Sequence, residues 1–79
     1  MARDIDYAAT AVKTAIMEKF GRKEDLDGLG VVANERTLSV IDGKQKAEGT
    51  RDNILVALRG ADSYENLWQA LRALPQPTR

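Results

Sequence analysis

The chain has 79 residues with neither cysteine nor histidine among them. Domains this short bury little apolar surface and often need a disulfide or a structural metal to fold securely. Neither staple can be built from these side chains, so the fold must rest on one hydrophobic core. The same absence narrows the chemistry. Zinc fingers, Cys–His catalysis, Ser–His–Asp triads and iron–sulfur sites are excluded together. The expectation is a single small domain over residues 1–79, with 75–79 as a flexible tail, no metal and no cofactor.

The hydrophobic share of 43% and charged share of 30% are those of a globular chain, not a disordered one. No apolar run approaches the roughly 20 residues that cross a bilayer. Met1-Ala2-Arg3-Asp4-Ile5-Asp6 lacks the basic-then-apolar order of a signal peptide. With no cysteine to oxidise, these features lead to an expectation of cytoplasmic location and no membrane partner. Twelve basic and twelve acidic residues cancel. A nucleic-acid binder usually carries a basic excess, so the balance favours a protein partner. Locally, residues 36–51 set Arg36, Lys44, Lys46 and Arg51 against Asp42 and Glu48, a balance of +2.

Apolar spacing predicts the elements. Ile5, Ala8, Ala9, Val12, Ala15, Ile16 and Phe20 recur at three and four, a helical stripe over 4–20. Asp4 or Asp6 suits its N-cap, and Gly21 suits its end. A charged connection, 22–28, leads to two strand-like runs, 29–33 and 37–41, joined by Asn34-Glu35-Arg36. In the second run Leu38 and Val40 share one face, Thr37, Ser39 and Ile41 the other. Asp42-Gly43 signals a hairpin into a polar third strand, 44–48, whose lysines suit an edge. Thr50 caps the next helix, with Ile54, Leu55, Leu58 and Ala61 on its buried face and Gly60 at its end. A last helix, 63–74, carries Tyr64, Leu67, Trp68, Leu71 and Leu74, opens on an Asp62–Glu65 capping box and is stopped by Pro75.

Several motifs fail on their physics. Gly28-Leu29-Gly30-Val31-Val32-Ala33 has the letters of a dinucleotide fingerprint, but a charged loop precedes it and a strand follows. Asp25-Leu26-Asp27-Gly28 hints at a calcium loop. Aligned on its glycine, however, that loop would begin at Lys23 and end at Asn34, where carboxylates are required. Paired carboxylates would need a cleft deep enough to shift a pKa, for which so short a chain has little room. The two C-terminal helices mimic a helix-turn-helix, yet Glu65, Asn66, Gln69 and Arg72 are a poor kit for a phosphate-lined groove. No catalytic residue is assigned, and an enzyme is not expected.

The order helix, three strands, helix is that of double-stranded-RNA-binding domains. Ile41-Asp42-Gly43-Lys44 followed by Gly49-Thr50-Arg51 resembles that family's second hairpin entering its last helix, over about residues 41–57. The resemblance implies a nucleic-acid module using Arg36, Lys44, Lys46 and Arg51. The family places a lysine cluster where this chain reads Arg51-Asp52-Asn53, and the break at Gly60 is a further departure.

Together these readings give an α+β domain in α-β-β-β-α-α order, a three-stranded antiparallel sheet with helices packed on one face. Leu38 and Val40, with Val31 and Ala33 beside them, face Val12, Ile16, Phe20, Ile54, Leu58, Leu67, Trp68 and Leu71. The other sheet face stays open. The expected function is a non-enzymatic protein-binding module that occupies a partner's surface. A complete short chain of inhibitor or adaptor type, such as phages and mobile elements encode, fits this description. The candidate contact residues are Val32, Arg36, Thr37, Ser39, Ile41, Lys44, Lys46 and Arg51. The expected partner is another protein or a second copy of the chain, with nucleic acid as the alternative.

Overall fold

The computed structural model describes residues 4–74, and side chains from residue 6 onward. Asp4 is the first residue of α1, but its side chain, the proposed stop Pro75 and the expected tail lie outside what is described. The elements are α1 (Asp4–Phe20), β1 (Leu29–Ala33), β2 (Leu38–Asp42), β3 (Gln45–Gly49), α2 (Arg51–Gly60) and α3 (Tyr64–Arg72). The three strands form one antiparallel sheet in the order β1-β2-β3. α1 lies against β1 and α2, and α3 lies against α2 and β3. The α+β architecture expected from the sequence is therefore the observed one.

One core joins the layers. Val12, Ile16 and Phe20 of α1 meet Leu38 and Val40 of β2, Ile54 and Leu58 of α2, and Leu67, Trp68 and Leu71 of α3. Val31 and Ala33 pack against its margin. Burying side chains of this size stabilises by roughly 1.5–3 kcal/mol each, the only large favourable contribution open to a chain without staples. Two aromatic edges add direction: Tyr64 stands T-shaped to Phe20 at 5.9 Å and to Trp68 at 6.4 Å between ring centres.

The loops depart from expectation in instructive ways. Leu26, assigned above to a charged connection, is buried in the core. Around it, Asp25 Oδ1 accepts from the Asp27 N–H at 3.1 Å. This Asx-turn accounts for the acid spacing that suggested calcium. β2 and β3 begin and end one residue later than their spacing suggested. The loop between them is therefore Gly43-Lys44, not a turn with Asp42 at its first corner. Gly43 has φ +61°, and no non-glycine among the described residues has positive φ. That is the pattern of a II′ hairpin, with glycine at the first central position.

Helix ends differ likewise. Thr50 caps α2 as expected, accepting from the Asn53 N–H at 3.2 Å. α3 is capped by Ser63, which accepts from Asn66 N–H at 3.1 Å, so the Asp62–Glu65 capping box does not form. Gly60 is the last residue of α2, and Ala61 is its C-cap. The end is held instead by Lys19 of α1, whose Nζ donates to the carbonyls of Leu58 and Arg59. A cation on the last carbonyls of a helix also complements its dipole.

Candidate binding face of the sheet

The pleat divides the sheet into two unlike surfaces. Inward residues join the core, while Gly30, Val32, Thr37, Ser39, Ile41, Lys46 and Glu48 point the other way, as the strand pairing requires. Val32 and Ile41 are absent from the core and from the apolar residues packed on it. All three helices are committed to the inner side, so among the described residues no helix covers the outer one.

Burial separates the expected contact residues into two groups. Val32 is 49% exposed and Ile41 half-buried. Thr37 and Ser39 lie on the outer face but are only 7% and 4% accessible. They were expected to offer contact surface, and the structure corrects that part. Both hydroxyls are instead engaged by neighbouring side chains, Thr37 by Glu48 and Ser39 by Asn34.

Their role is a polar network. Asn34 Nδ2 donates to Ser39 Oγ at 2.8 Å and to Glu48 Oε2 at 2.9 Å, with Thr37 Oγ1 a longer 3.3 Å away. The Thr37 hydroxyl donates to the same Glu48 oxygen at 2.7 Å. A carboxylate that accepts from an amide and a hydroxyl makes charge-assisted bonds, stronger than neutral ones. The network joins the β1–β2 connection to β3 across the central strand. Asn34 and Glu48 were not foreseen. The signal available was the register: Glu48 stands opposite Ser39, and Asn34 opposite Thr37 one step beyond Ala33 and Leu38.

The four basic candidates do not form one patch. Lys46 stands opposite Ile41, and Lys44 is in the adjoining turn. Arg36 lies before β2, at the other end of the sheet. Arg51 belongs to the first turn of α2, where its Nε meets Asp52 Oδ1 at 3.4 Å. The face thus offers an apolar pair, Val32 and Ile41, with lysines at one end and Arg36 at the other.

Tyr7 and Met17 on α1 and Val56 on α2 are also exposed. A shallow depression of about 230 Å³ is lined by Lys19, Phe20, Lys23, Glu24, Asp62, Ser63 and Tyr64. Three of its groups are already engaged, Lys19 on α2, the Ser63 hydroxyl on the start of α3 and the Tyr64 hydroxyl on Asp42. Burial first, then the hydrogen bond to Asp42, push the Tyr64 hydroxyl up to about 12, away from any nucleophilic role near neutrality. Among the described residues no group of three or more potential ligands comes together to hold a metal, and no helix is long and apolar enough to cross a membrane. Comparison with protein-family models, curated proteins and solved structures finds no match to this chain.

Proposed function

We propose that the protein is a non-enzymatic binding module that occupies a partner protein's surface with the outer face of its sheet. The carrying observation is Val32, a β-branched residue left 49% exposed on an outer face it shares with Ile41 and with polar and charged side chains. Apolar centres with polar and charged rims are the anatomy of protein interfaces. Beneath it, the Asn34–Thr37–Ser39–Glu48 network limits the ordering that binding would otherwise require. Lys44 and Lys46 at the rim favour an acidic partner. An inhibitor or adaptor acting in a reducing compartment fits this reading.

The test pairs two baits in native lysate, the wild-type chain and Val32→Asp, followed by titration of any captured protein against both. Binding by the wild type and at least tenfold weaker binding by Val32→Asp supports the proposal. Equal affinity removes the sheet face from consideration. A parallel titration with duplex RNA in rising salt addresses the nucleic-acid alternative, since phosphate-driven affinity falls steeply with salt.

A further inference from the structure

The open edge of β1 supports an inference that does not depend on the partner proposed above. Sheets protect their edges with charge, proline or bulges. β3 follows this rule with Lys46 and Glu48. β1, Leu29-Gly30-Val31-Val32-Ala33, has none of these devices, and its register with β2 is unbroken. It is nonetheless a terminal strand.

The ladder reveals which backbone groups that edge presents. Asn34 N–H donates to Thr37 O at 2.8 Å, and these residues stand opposite one another just beyond the Ala33–Leu38 pair. Opposed antiparallel residues alternate between bonded and non-bonded pairs. Gly30 and Val32 therefore bond to Ile41 and Ser39, whereas Leu29, Val31 and Ala33 turn their amides and carbonyls outward. The Leu29 N–H is occupied by the Leu26 carbonyl at 3.0 Å, as an outward-facing group can be. No hydrogen bond from another described residue meets the outward groups of Val31 and Ala33.

We propose that β1 pairs antiparallel with β1 of a second copy of this chain, about a two-fold axis at Val31, making the two sheets one. In this register each Val31 donates to and accepts from its counterpart, and each Ala33 N–H donates to the other copy's Leu29 carbonyl. The same register sets Gly30 opposite the second copy's Val32 on the outer face. That is a non-bonded pair, in which opposed Cα atoms stand only about 4.5 Å apart. A Cβ placed on Gly30 would meet nothing within 4 Å. The notch above Gly30 thus receives the exposed valine of the other copy, against Ile41. A two-fold interface requires each surface to fit itself. Here the register that overlaps the whole strand also fills the notch, which argues for a second copy over an unrelated strand.

The experiment is sedimentation equilibrium of the full chain from micromolar to millimolar concentration, with amide exchange across the same series. The expected result is a mass rising from monomer to dimer. Val31 and Ala33 amides gain protection with concentration, while those of Gly30 and Val32 are protected throughout. Val31→Pro removes an outward donor and leaves the β1–β2 ladder intact. Gly30→Asp sets a carboxylate in the notch, where pairing would bury it unpaired against the second copy's Val32. Each should weaken association at least tenfold while a cooperative melt is retained, and Gly30→Asp carries the test if Val31→Pro fails to fold. A wild-type chain that is monomeric at millimolar concentration overturns the proposal. So does a dimer of wild-type strength in the folded variants, or protection of Val31 only when a foreign protein is added.

Discussion

The Tyr64 hydroxyl donates to Asp42 Oδ2 at 2.7 Å, fastening the first residue of α3 to the last residue of β2. Arg72, at the far end of α3, bonds Gln45, the residue paired with Asp42 across the hairpin. One short helix is therefore held at both ends to a single rung of the sheet. Tyr64 also stacks edge-on with Phe20 and Trp68, so the bond sits where α1, α3 and the sheet converge.

Removing that hydroxyl should be measurable. Tyr64→Phe keeps the ring and loses a bond to a carboxylate, a change expected to cost about 1–2 kcal/mol for a partly buried group. Chemical denaturation of both proteins at neutral pH is the check. An unchanged midpoint would mean that water replaces the bond without loss.

The same hydroxyl predicts an alkaline limb. Its pKa is raised from 10.0 to about 12 by burial and by Asp42, so between those values the folded chain keeps a proton that the unfolded chain has lost. Stability from this group is complete below pH 10 and lost as pH rises through about 12. The informative quantity is the difference between wild type and Tyr64→Phe, which isolates this hydroxyl. That difference should shrink with rising pH; a constant gap would contradict the assignment.

Trp68 is the largest fully buried side chain, at 2% accessibility. Its indole N–H meets no acceptor among the described residues. Trp68→Ala should cost roughly 3–5 kcal/mol through lost contacts and the cavity left behind. Equilibrium unfolding measures the cost, or shows a chain already unfolded. Emission of the folded wild type should be blue-shifted from that of free tryptophan in water, and an unshifted maximum would contradict its burial.

The outer-face network separates scaffold from contact. Thr37→Val preserves shape, removes the donor to Glu48 and should destabilise by about 1–2 kcal/mol. Thr37 is only 7% accessible, and Asn34 still ties Ser39 to Glu48 without it, so binding measured below the melting range should be unaffected. Loss of affinity at full folding would instead make Thr37 a contact residue.

What could be read before the structure was known follows from periodicity. The stripes of α1 and α3 and the alternation of Leu38 and Val40 are dictated by repeat lengths of 3.6 and 2, so their buried faces were legible. Leu26 was not, because a single apolar residue among charges has no period. The hairpin shifted by one residue because Asp-Gly and Gly-Lys both make acceptable turns, and only pairing with β1 and β3 decides between them. Asn34 and Glu48 escaped notice for a related reason. They lie 14 positions apart, and only the finished register brings them to 2.9 Å.

Val32 and Ile41 allow the sharpest test of the binding face. Val32 is half-exposed, so Val32→Asp adds a charge that remains solvated, and the domain should melt within about 0.5 kcal/mol of wild type. Ile41 is half-buried between Gly30 and Lys46, so Ile41→Asp should cost more stability yet still fold, with Lys46 beside the new carboxylate. Both changes should abolish binding to a partner seated on the outer face, since a charge buried there is left unpaired. Lys44→Glu with Lys46→Glu should act differently, slowing association more than speeding dissociation if the partner is acidic. Surface plasmon resonance at two ionic strengths distinguishes these effects. A folded Val32→Asp chain that binds as tightly as wild type would move the site off the sheet, and Tyr7 and Met17 on α1 would be the next residues to substitute.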